Sequence, residues 1–247
     1  MPKFAANLTF LFKELPFLER FEAAADAGFD AVEVLFPYDD AATEVVRRLN
    51  RSGLPMVLIN TPPPNYTGGE RGFAAVPGSE ERFRRDFKRT MRYAERLKPQ
   101  HVHIMAGAAS GPQARETFVE NLRWATSEAP SQSLTIEPIN QIDMPGYYLS
   151  DFQLAATTIA AVGAPNLGCN LIPIMRNKSR ATCWAPGPNT ARLCAMCRLA
   201  ASPVAMNPWA EISTILHSSR SSMPRGIWAM SAASITPRGA LSKGWIG

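Results

Sequence analysis

Residues 17–60 read FLERFEAAADAGFDAVEVLFPYDDAATEVVRRLNRSGLPMVLIN and contain two helical segments and two apolar runs in alternation. The first helical segment follows Pro16, carries its apolar residues on one face, and ends at Gly28, where a left-handed C′ glycine is expected. The apolar runs, 31–36 and 56–60, are short and are predicted strands. This order is typical of βα units that surround a parallel sheet.

The same alternation continues on both sides of this stretch. A loop rich in Pro and Gly is predicted at 61–78 and a sixth strand near Asn166, so the pattern covers about five and a half βα units within residues 1–168. A chain of 247 residues is long enough for a single α/β barrel domain. The remaining predicted strands are 4–10, 101–105 and 133–139, and the remaining predicted helices are 41–51, 79–97, 115–127 and 151–162.

The composition changes abruptly after Gly168. Residues 1–168 carry 17 Lys and Arg against 20 Asp and Glu, a net charge of −3, whereas residues 169–247 carry 9 against 1, a net charge of +8. All 12 Phe and all 5 Tyr precede the boundary, and all 4 Cys follow it. The basic overall charge therefore belongs to the tail, and it does not indicate a specific nucleic-acid partner for the barrel portion.

No apolar run approaches the roughly 20 residues that span a bilayer, and the N-terminus lacks the pattern of a signal peptide. The sequence therefore predicts a cytoplasmic protein without a membrane partner. Cys194 and Cys197 form a CxxC pair, which is weak support for a redox or zinc site because no partner ligands stand at suitable spacing.

Polar residues end most of the predicted strands. In an α/β barrel the active site lies at the carboxyl ends of the strands, so these residues are the first candidates for function. The sequence LTIEPIN makes Glu137 the strongest candidate, because an apolar strand delivers a carboxylate that can bind a metal or move a proton. For the others, a structural bond to a neighbouring loop fits equally well. The other candidates are Asn7, Glu33, Asn60 and His103.

Two further features carry expectations of their own. We expect only one of His101 and His103 to face the barrel interior, and the other to pack under a helix. The loop segment GGERGFA, residues 68–74, is predicted to form a lid whose Glu70 and Arg71 reach the substrate, although a merely exposed loop is an equal alternative.

Six ordered motifs resemble the hydroxypyruvate isomerase family, whose relatives are the xylose-isomerase-like TIM barrels, including the 2-oxo-tetronate isomerases. The resemblance covers residues 2–168 almost continuously. The motifs are FAANLTFLF at 4–12, FDAVEVLFPY at 29–38, INTPP at 59–63, GGERGFAAVPG at 68–78, HVHIMAG at 101–107 and LTIEPIN at 134–140.

The resemblance implies a (β/α)₈ TIM barrel and a metal-assisted isomerase. Its reaction would interconvert hydroxypyruvate and 2-hydroxy-3-oxopropanoate, or a related oxo-hydroxy acid, with Mg²⁺ or Mn²⁺ as the cofactor and the small acid as the partner. Glu137 matches the family's first carboxylate and is the implied catalytic residue and metal ligand. The residues expected to bind substrate are Asn7, Asn60, Glu70 and His103.

The family's later motifs, similar to LQFDxYHxQ, HVQIAG, HEPxxGEINYP and GCEYxPRG, are absent except for PRG at 237–239. The codons of the tail can be read in a shifted frame, in which each triplet takes the last base of one codon and the first two bases of the next. Triplets of this kind can encode all four missing motifs, in the family's order. We therefore predict a frame change near Gly168 that is reversed near Thr236, which leaves 169–236 out of frame or irregular and 237–247 family-like. The last strands and helices would be disrupted and the chain as written inactive.

Two other functional classes stay open. One is a metal-dependent endonuclease of the apurinic-site repair type, against which the negative charge of residues 1–168 argues, because phosphate binding favours a basic groove. The other is a non-catalytic remnant whose basic tail binds nucleic acid without specificity. The sequence leaves the oligomeric state open.

Overall fold

The computed structural model describes residues 4–62 and 71–170, in which strands and helices alternate. A 3-10 turn, Phe17–Glu19, precedes the first helix. The strands are β1 (Ala5–Asn7), β2 (Ala31–Glu33), β3 (Met56–Asn60), β4 (His101–His103), β5 (Ser133–Ile136) and β6 (Leu167–Cys169). The helices are α1 (Arg20–Asp26), α2 (Ala42–Ser52), α3 (Glu80–Leu97), α4 (Gly111–Glu128) and α5 (Phe152–Val162).

The six strands form one parallel sheet in the order β1-β2-β3-β4-β5-β6, so each strand pairs with the next one along the chain. The helices pack against one another in the same order, from α1 against α2 to α4 against α5. Sequential pairing of this kind is the arrangement of a barrel wall with an outer layer of helices. The α/β fold class expected from the sequence is confirmed for this part of the chain.

The core lies between the sheet and the helices. Alternate residues of each strand point outwards into one apolar cluster that also contains residues from all five helices. A small second cluster, made of Ala5, Ala31, Val57 and Leu58, lies near the amino ends of β1, β2 and β3. The strand contributors to the main core are Ala6, Val32, Ile59, Val102, Leu134 and Leu167, and the helix contributors include Phe21, Val45, Phe87, Phe118 and Ala155.

Element ends differ from the sequence-based bounds where hydrogen bonds turn the chain. β1 stops at Asn7 rather than residue 10, because the carbonyl of Asn7 accepts bonds from the amides of Phe10 and Leu11. α4 begins at Gly111, four residues before the predicted start, because proline is compatible with the first helical turn. Most of the segment predicted to be out of frame, and the predicted end at 237–247, lie outside the described residues.

The start of α5 is held by Asp151, whose Oδ1 accepts a hydrogen bond of 2.7 Å from the Leu154 amide. We expect Asp151→Ala to lower the free energy of unfolding by about 1 kcal/mol, because one amide of the first turn loses its acceptor. Urea denaturation of a protein with its reading frame restored checks this value. Asp151→Ser is the matched control, since serine can cap the same amide, and equal losses for both variants would contradict the capping role.

No helix in residues 4–62 and 71–170 is long and apolar enough to cross a membrane.

Candidate functional site

A polar cluster lies at the carboxyl end of the sheet, on the face opposite the main core. The strand pattern explains it, because β-strand residues two apart share a face and the last inward residue of each of the first five strands is polar. All six members are buried, with exposed fractions between 1% and 8%. They are Asn7, Glu33, Asn60, His103, Thr135 and Glu137.

Glu137 directly follows β5 and is held from β6. The side-chain amide of Asn170 donates to its Oε2 over 3.0 Å, and the backbone amide of Asn170 donates to the carbonyl of Ile136 over 2.8 Å. Burial and the nearby Glu33 carboxylate raise the pKa of Glu137 to about 8, against the lowering effect of the Asn170 bond. Near neutral pH, Glu137 can therefore both accept and donate a proton.

Asn7 and Glu33 form a second polar pair on neighbouring strands. They stand opposite each other in the β1–β2 register, and the Asn7 amide donates to Glu33 Oε1 over 2.6 Å. The Asn7 Oδ1 accepts the amide of Thr9 over 3.0 Å. Asn7 therefore orients the carboxylate whose charge raises the pKa of Glu137, and its observed contacts are with protein groups.

Asn60, His103 and Thr135 stand side by side on β3, β4 and β5, and we name them the polar row. Each has a buried side-chain atom with no hydrogen-bond partner among the described residues: Asn60 Oδ1, His103 Nε2 and Thr135 Oγ1. Burial lowers the pKa of His103 to about 4, so its imidazole is neutral at pH 7. The polar row is thus an uncharged surface with free hydrogen-bonding capacity.

The expectation that His101 and His103 face opposite sides is wrong. Residues two apart on a strand share a face, and both histidines lie opposite the face of Val102, which belongs to the main core. His101 Nδ1 is 2.9 Å from Ser133 Oγ, a hydrogen bond across the pair β4–β5. His101 therefore lies one step deeper than His103, away from the carboxyl end of the sheet.

Loops close over this end through backbone contacts. Gly72 pairs with Ala106, and Ala108 pairs with Tyr147, so the loops after β3, β4 and β5 are linked in series. The Tyr147 hydroxyl accepts the Ala106 amide over 2.9 Å, and burial raises the pKa of Tyr147. Arg71 of the predicted lid is half-buried. Glu70, Cys194 and Cys197 lie outside the described residues.

The described residues do not by themselves make a metal site. Within 4–62 and 71–170, no three His, Cys, Asp or Glu side chains come together in a group that could hold a metal ion. Glu137 offers one carboxylate oxygen beside the Asn170 bond, whereas tight binding of Mg²⁺ or Mn²⁺ needs several oxygen ligands. The metal role of Glu137 therefore stays a prediction.

Three contributors to the site were not predicted from the sequence. Thr135 could have been found, because it lies on β5 two residues before Glu137, and residues two apart in extended chain share a face. Tyr147 comes from the β5–α5 loop, and no local pattern marks its contact with Ala106. Asn170 falls in the segment that is predicted to be out of frame, 169–236. Its backbone amide nevertheless extends the pairing of β6 with β5, and its side chain contacts Glu137.

The low pKa of His103 has a consequence for stability. Between pH 6.5 and 4, the unfolded chain takes up a proton on His103 that the folded protein does not, so the free energy of unfolding falls as the pH falls. We expect His103→Gln to remove this contribution, on the order of 2–3 kcal/mol between those limits. Urea denaturation of the frame-restored protein at pH 7 and pH 4.5 checks it. Parallel pH dependences of the two proteins would contradict a buried neutral His103.

The parallel wall, the outer helices and the buried carboxylate at the strand ends define an α/β-barrel protein with its site at the carboxyl face. The model of the xylose isomerase-like TIM barrel family matches residues 21–173. The chain belongs to this family.

Relatives with assigned names resemble the chain over its first two thirds. The 2-oxo-tetronate isomerase of Cupriavidus necator is 45% identical over 68% of this chain and 66% of its own length. The hydroxypyruvate isomerase of Escherichia coli is 40% identical over 68% of this chain and 67% of its own length. Each match therefore spans about two thirds of the relative.

Among solved structures, the AP endonuclease, family 2, from Brucella melitensis matches with a TM-score of 0.77 and 33% identity. The match covers 97% of this chain and 95% of that one. A 3-keto-D-glucoside 4-epimerase of Escherichia coli matches with a TM-score of 0.62 at 13% identity, a likeness that concerns the fold alone.

Proposed function

We propose that this chain derives from an isomerase of small oxo-hydroxy acids, which interconverts hydroxypyruvate and 2-hydroxy-3-oxopropanoate or a close homologue of that pair. The observation that carries the proposal is the buried Glu137 at the end of β5, whose pKa is raised to about 8. The names of the relatives from Cupriavidus necator and Escherichia coli support the same substrate class. A cytoplasmic location remains a prediction from the sequence.

The reaction moves one proton between adjacent carbons. A base removes a proton from the hydroxyl-bearing carbon next to the carbonyl, an enediolate forms, a proton returns to the neighbouring carbon, and the hydroxyl proton passes to the former carbonyl oxygen. Glu137 suits one of these transfers, because a carboxyl with a pKa close to the working pH exchanges protons in both directions. Asn7 and Glu33 set the charge around Glu137, and the closed loops limit the access of water.

The divalent ion is part of this proposal. It would supply positive charge to the enediolate, and Glu137 would be one of its ligands, held ionised by the ion and so able to act as the base. The other ligands would come from motifs that the chain as written lacks. The frame-change hypothesis therefore carries the expectation that the chain as written is inactive. The match to the family model ends at residue 173, close to the predicted frame change near Gly168, and this supports the hypothesis.

The experiment compares two proteins: the chain as written and a version whose reading frame is restored between the codons for Gly168 and Thr236. We expect the restored protein to isomerise hydroxypyruvate in a metal-dependent assay, and the chain as written to show no activity above background. We also expect the chain as written to aggregate, because a parallel sheet with an open edge exposes unpaired backbone groups. An active, monodisperse chain as written would contradict the frame change, and an inactive restored protein would contradict the isomerase.

The similarity to the AP endonuclease of Brucella melitensis keeps an apurinic-site endonuclease as the second candidate. Incision of DNA that contains an apurinic site, by the restored protein, tests it directly. We expect no incision, because residues 1–168 carry a net charge of −3. If the chain is instead a non-catalytic remnant whose basic tail binds DNA, the chain as written should show salt-sensitive DNA binding and the restored protein should not. A gel-shift assay of both proteins at two salt concentrations separates this case.

A further inference from the structure

The polar row of Asn60, His103 and Thr135 is a feature that the proton-transfer chemistry leaves unexplained. Four buried side-chain atoms lack a hydrogen-bond partner among the described residues, and three of them belong to this row. The register pairs Asn60 with His103 and His103 with Thr135, so the three side chains lie at one level of the sheet. Buried polar groups in folded proteins are nearly always paired, so three aligned exceptions indicate a surface that pairs with a ligand.

Thr135, at one end of the row, lies beneath Glu137. Thr135 and Glu137 are two residues apart in extended chain. Their Cα atoms are therefore about 7 Å apart along the strand direction, and their side chains lie on the same face. Neighbouring strands are about 4.8 Å apart, so the row is about 10 Å wide. A chain of three or four carbons can therefore reach from Glu137 to the row.

The charges decide which end of such a ligand the row accepts. Its members are an amide, a hydroxyl and an imidazole that burial keeps neutral. Glu33 on β2, the strand beside β3, is a buried carboxylate, and the buried polar residues of the described chain include no Lys or Arg. A carboxylate placed on the row would add negative charge with no buried cation among residues 4–62 and 71–170 to balance it, whereas hydroxyl and carbonyl groups would find donors and acceptors.

We propose that the polar row binds the hydroxyl- and carbonyl-bearing end of a small polyhydroxylated substrate, and that the carboxylate of the substrate points away from the row. This inference rests on the proposed function for the class of substrate, and it assigns the orientation of the substrate and a role for Thr135. Substrates with more hydroxyl groups should bind more tightly, because they pair with more of the row.

The test uses the full 247-residue chain with ¹⁵N-labelled histidine, in which His103 is one of three histidines and is assigned with His103→Gln. Erythrulose, an uncharged four-carbon ketose, is titrated while the imidazole nitrogen signals are followed. We expect erythrulose to shift the His103 signals and Thr135→Val to weaken its binding about 10-fold, the loss of roughly one hydrogen bond. Propanoate, a carboxylate without hydroxyl groups, should cause no shift.

The matched control is Thr126→Val, which removes the hydroxyl of another buried threonine whose Oγ1 donates to the Arg123 carbonyl on α4. This control should bind erythrulose like the parent. Without ligand, Thr135→Val should unfold at no lower urea concentration than the parent, because Thr135 Oγ1 has no partner among the described residues to lose. Equal binding by the parent and Thr135→Val, or a shift caused by propanoate, would overturn the proposal.

If the chain as written is insoluble, the same titration is run on the frame-restored protein. Unchanged His103 signals in that titration would also overturn the proposal. The two hypotheses fail separately. Binding of erythrulose at the row by a restored protein without isomerase activity would sink the proposed function alone. Isomerase activity with unchanged KM and kcat in Thr135→Val would sink the orientation alone.

Discussion

Replacing Glu137 with Gln in the frame-restored protein is expected to lower kcat/KM for hydroxypyruvate about 10³-fold. Glutamine keeps the shape of the side chain, but it cannot take up or release the proton. The loss should appear mainly in kcat, because the proton transfer belongs to the transition state rather than to substrate binding. Steady-state kinetics of the purified variant provide the measurement.

Glu120→Gln is the control for this substitution, because Glu120 is an exposed residue on the outer helix α4. It should leave kcat/KM unchanged. Circular dichroism must show that Glu137→Gln is folded, and folding is expected because the variant removes a buried group that tends to ionise above about pH 8. Retention of more than a tenth of the activity would remove Glu137 from the proton transfer.

Replacing Gly107 with Ala is expected to lower the free energy of unfolding by about 2–5 kcal/mol. Gly107 has a φ of 90°, and a Cβ built there would lie 2.3 Å from the carbonyl oxygen of Gly72. The backbone of the opposite loop would have to move, and the bond from the Tyr148 amide to the Gly107 carbonyl at 2.9 Å would be strained. Urea denaturation of the frame-restored protein measures the loss.

Gly78→Ala separates the clash from the backbone strain. Gly78 has a φ of 79° in the same long loop that contains Gly72, but a Cβ there would meet nothing within 4 Å. We expect this control to cost about 1 kcal/mol, the strain of a left-handed residue alone. If Gly107→Ala and Gly78→Ala destabilise equally, then the contact between the loops is not tight, and the site is closed by other means.

The fold of residues 4–62 and 71–170 was largely predictable because its signals are local. Apolar runs, helical periodicity and glycines such as Gly28 and Gly53 place the βα units without reference to any distant contact. β3 was predicted at the bounds observed, Met56–Asn60. The strands that follow were predicted too long at their carboxyl ends, since the turns there are set by hydrogen bonds between loops rather than by the apolar character of the residues.

The candidate site was predictable only in part. Glu137, Asn60 and His103 follow from the rule that barrel strands deliver polar residues at their carboxyl ends. Asn7 was predicted to bind substrate, whereas its observed bonds are to Glu33 and Thr9. The sequence could not indicate which partner an amide at a strand end would find, because that depends on the register with the neighbouring strand.

The sequence by itself determined the succession of strands and helices, the carboxylate at the end of β5, and the break in composition after Gly168. Only the tertiary structure decided that His101 and His103 share a face, that the loops meet at Gly72 and Gly107, and that the polar row has unpaired atoms. The physical reason is the range of the interactions. Periodicity and chain direction act over a few residues, whereas register, backbone contact and hydrogen-bond pairing join residues that are tens of positions apart.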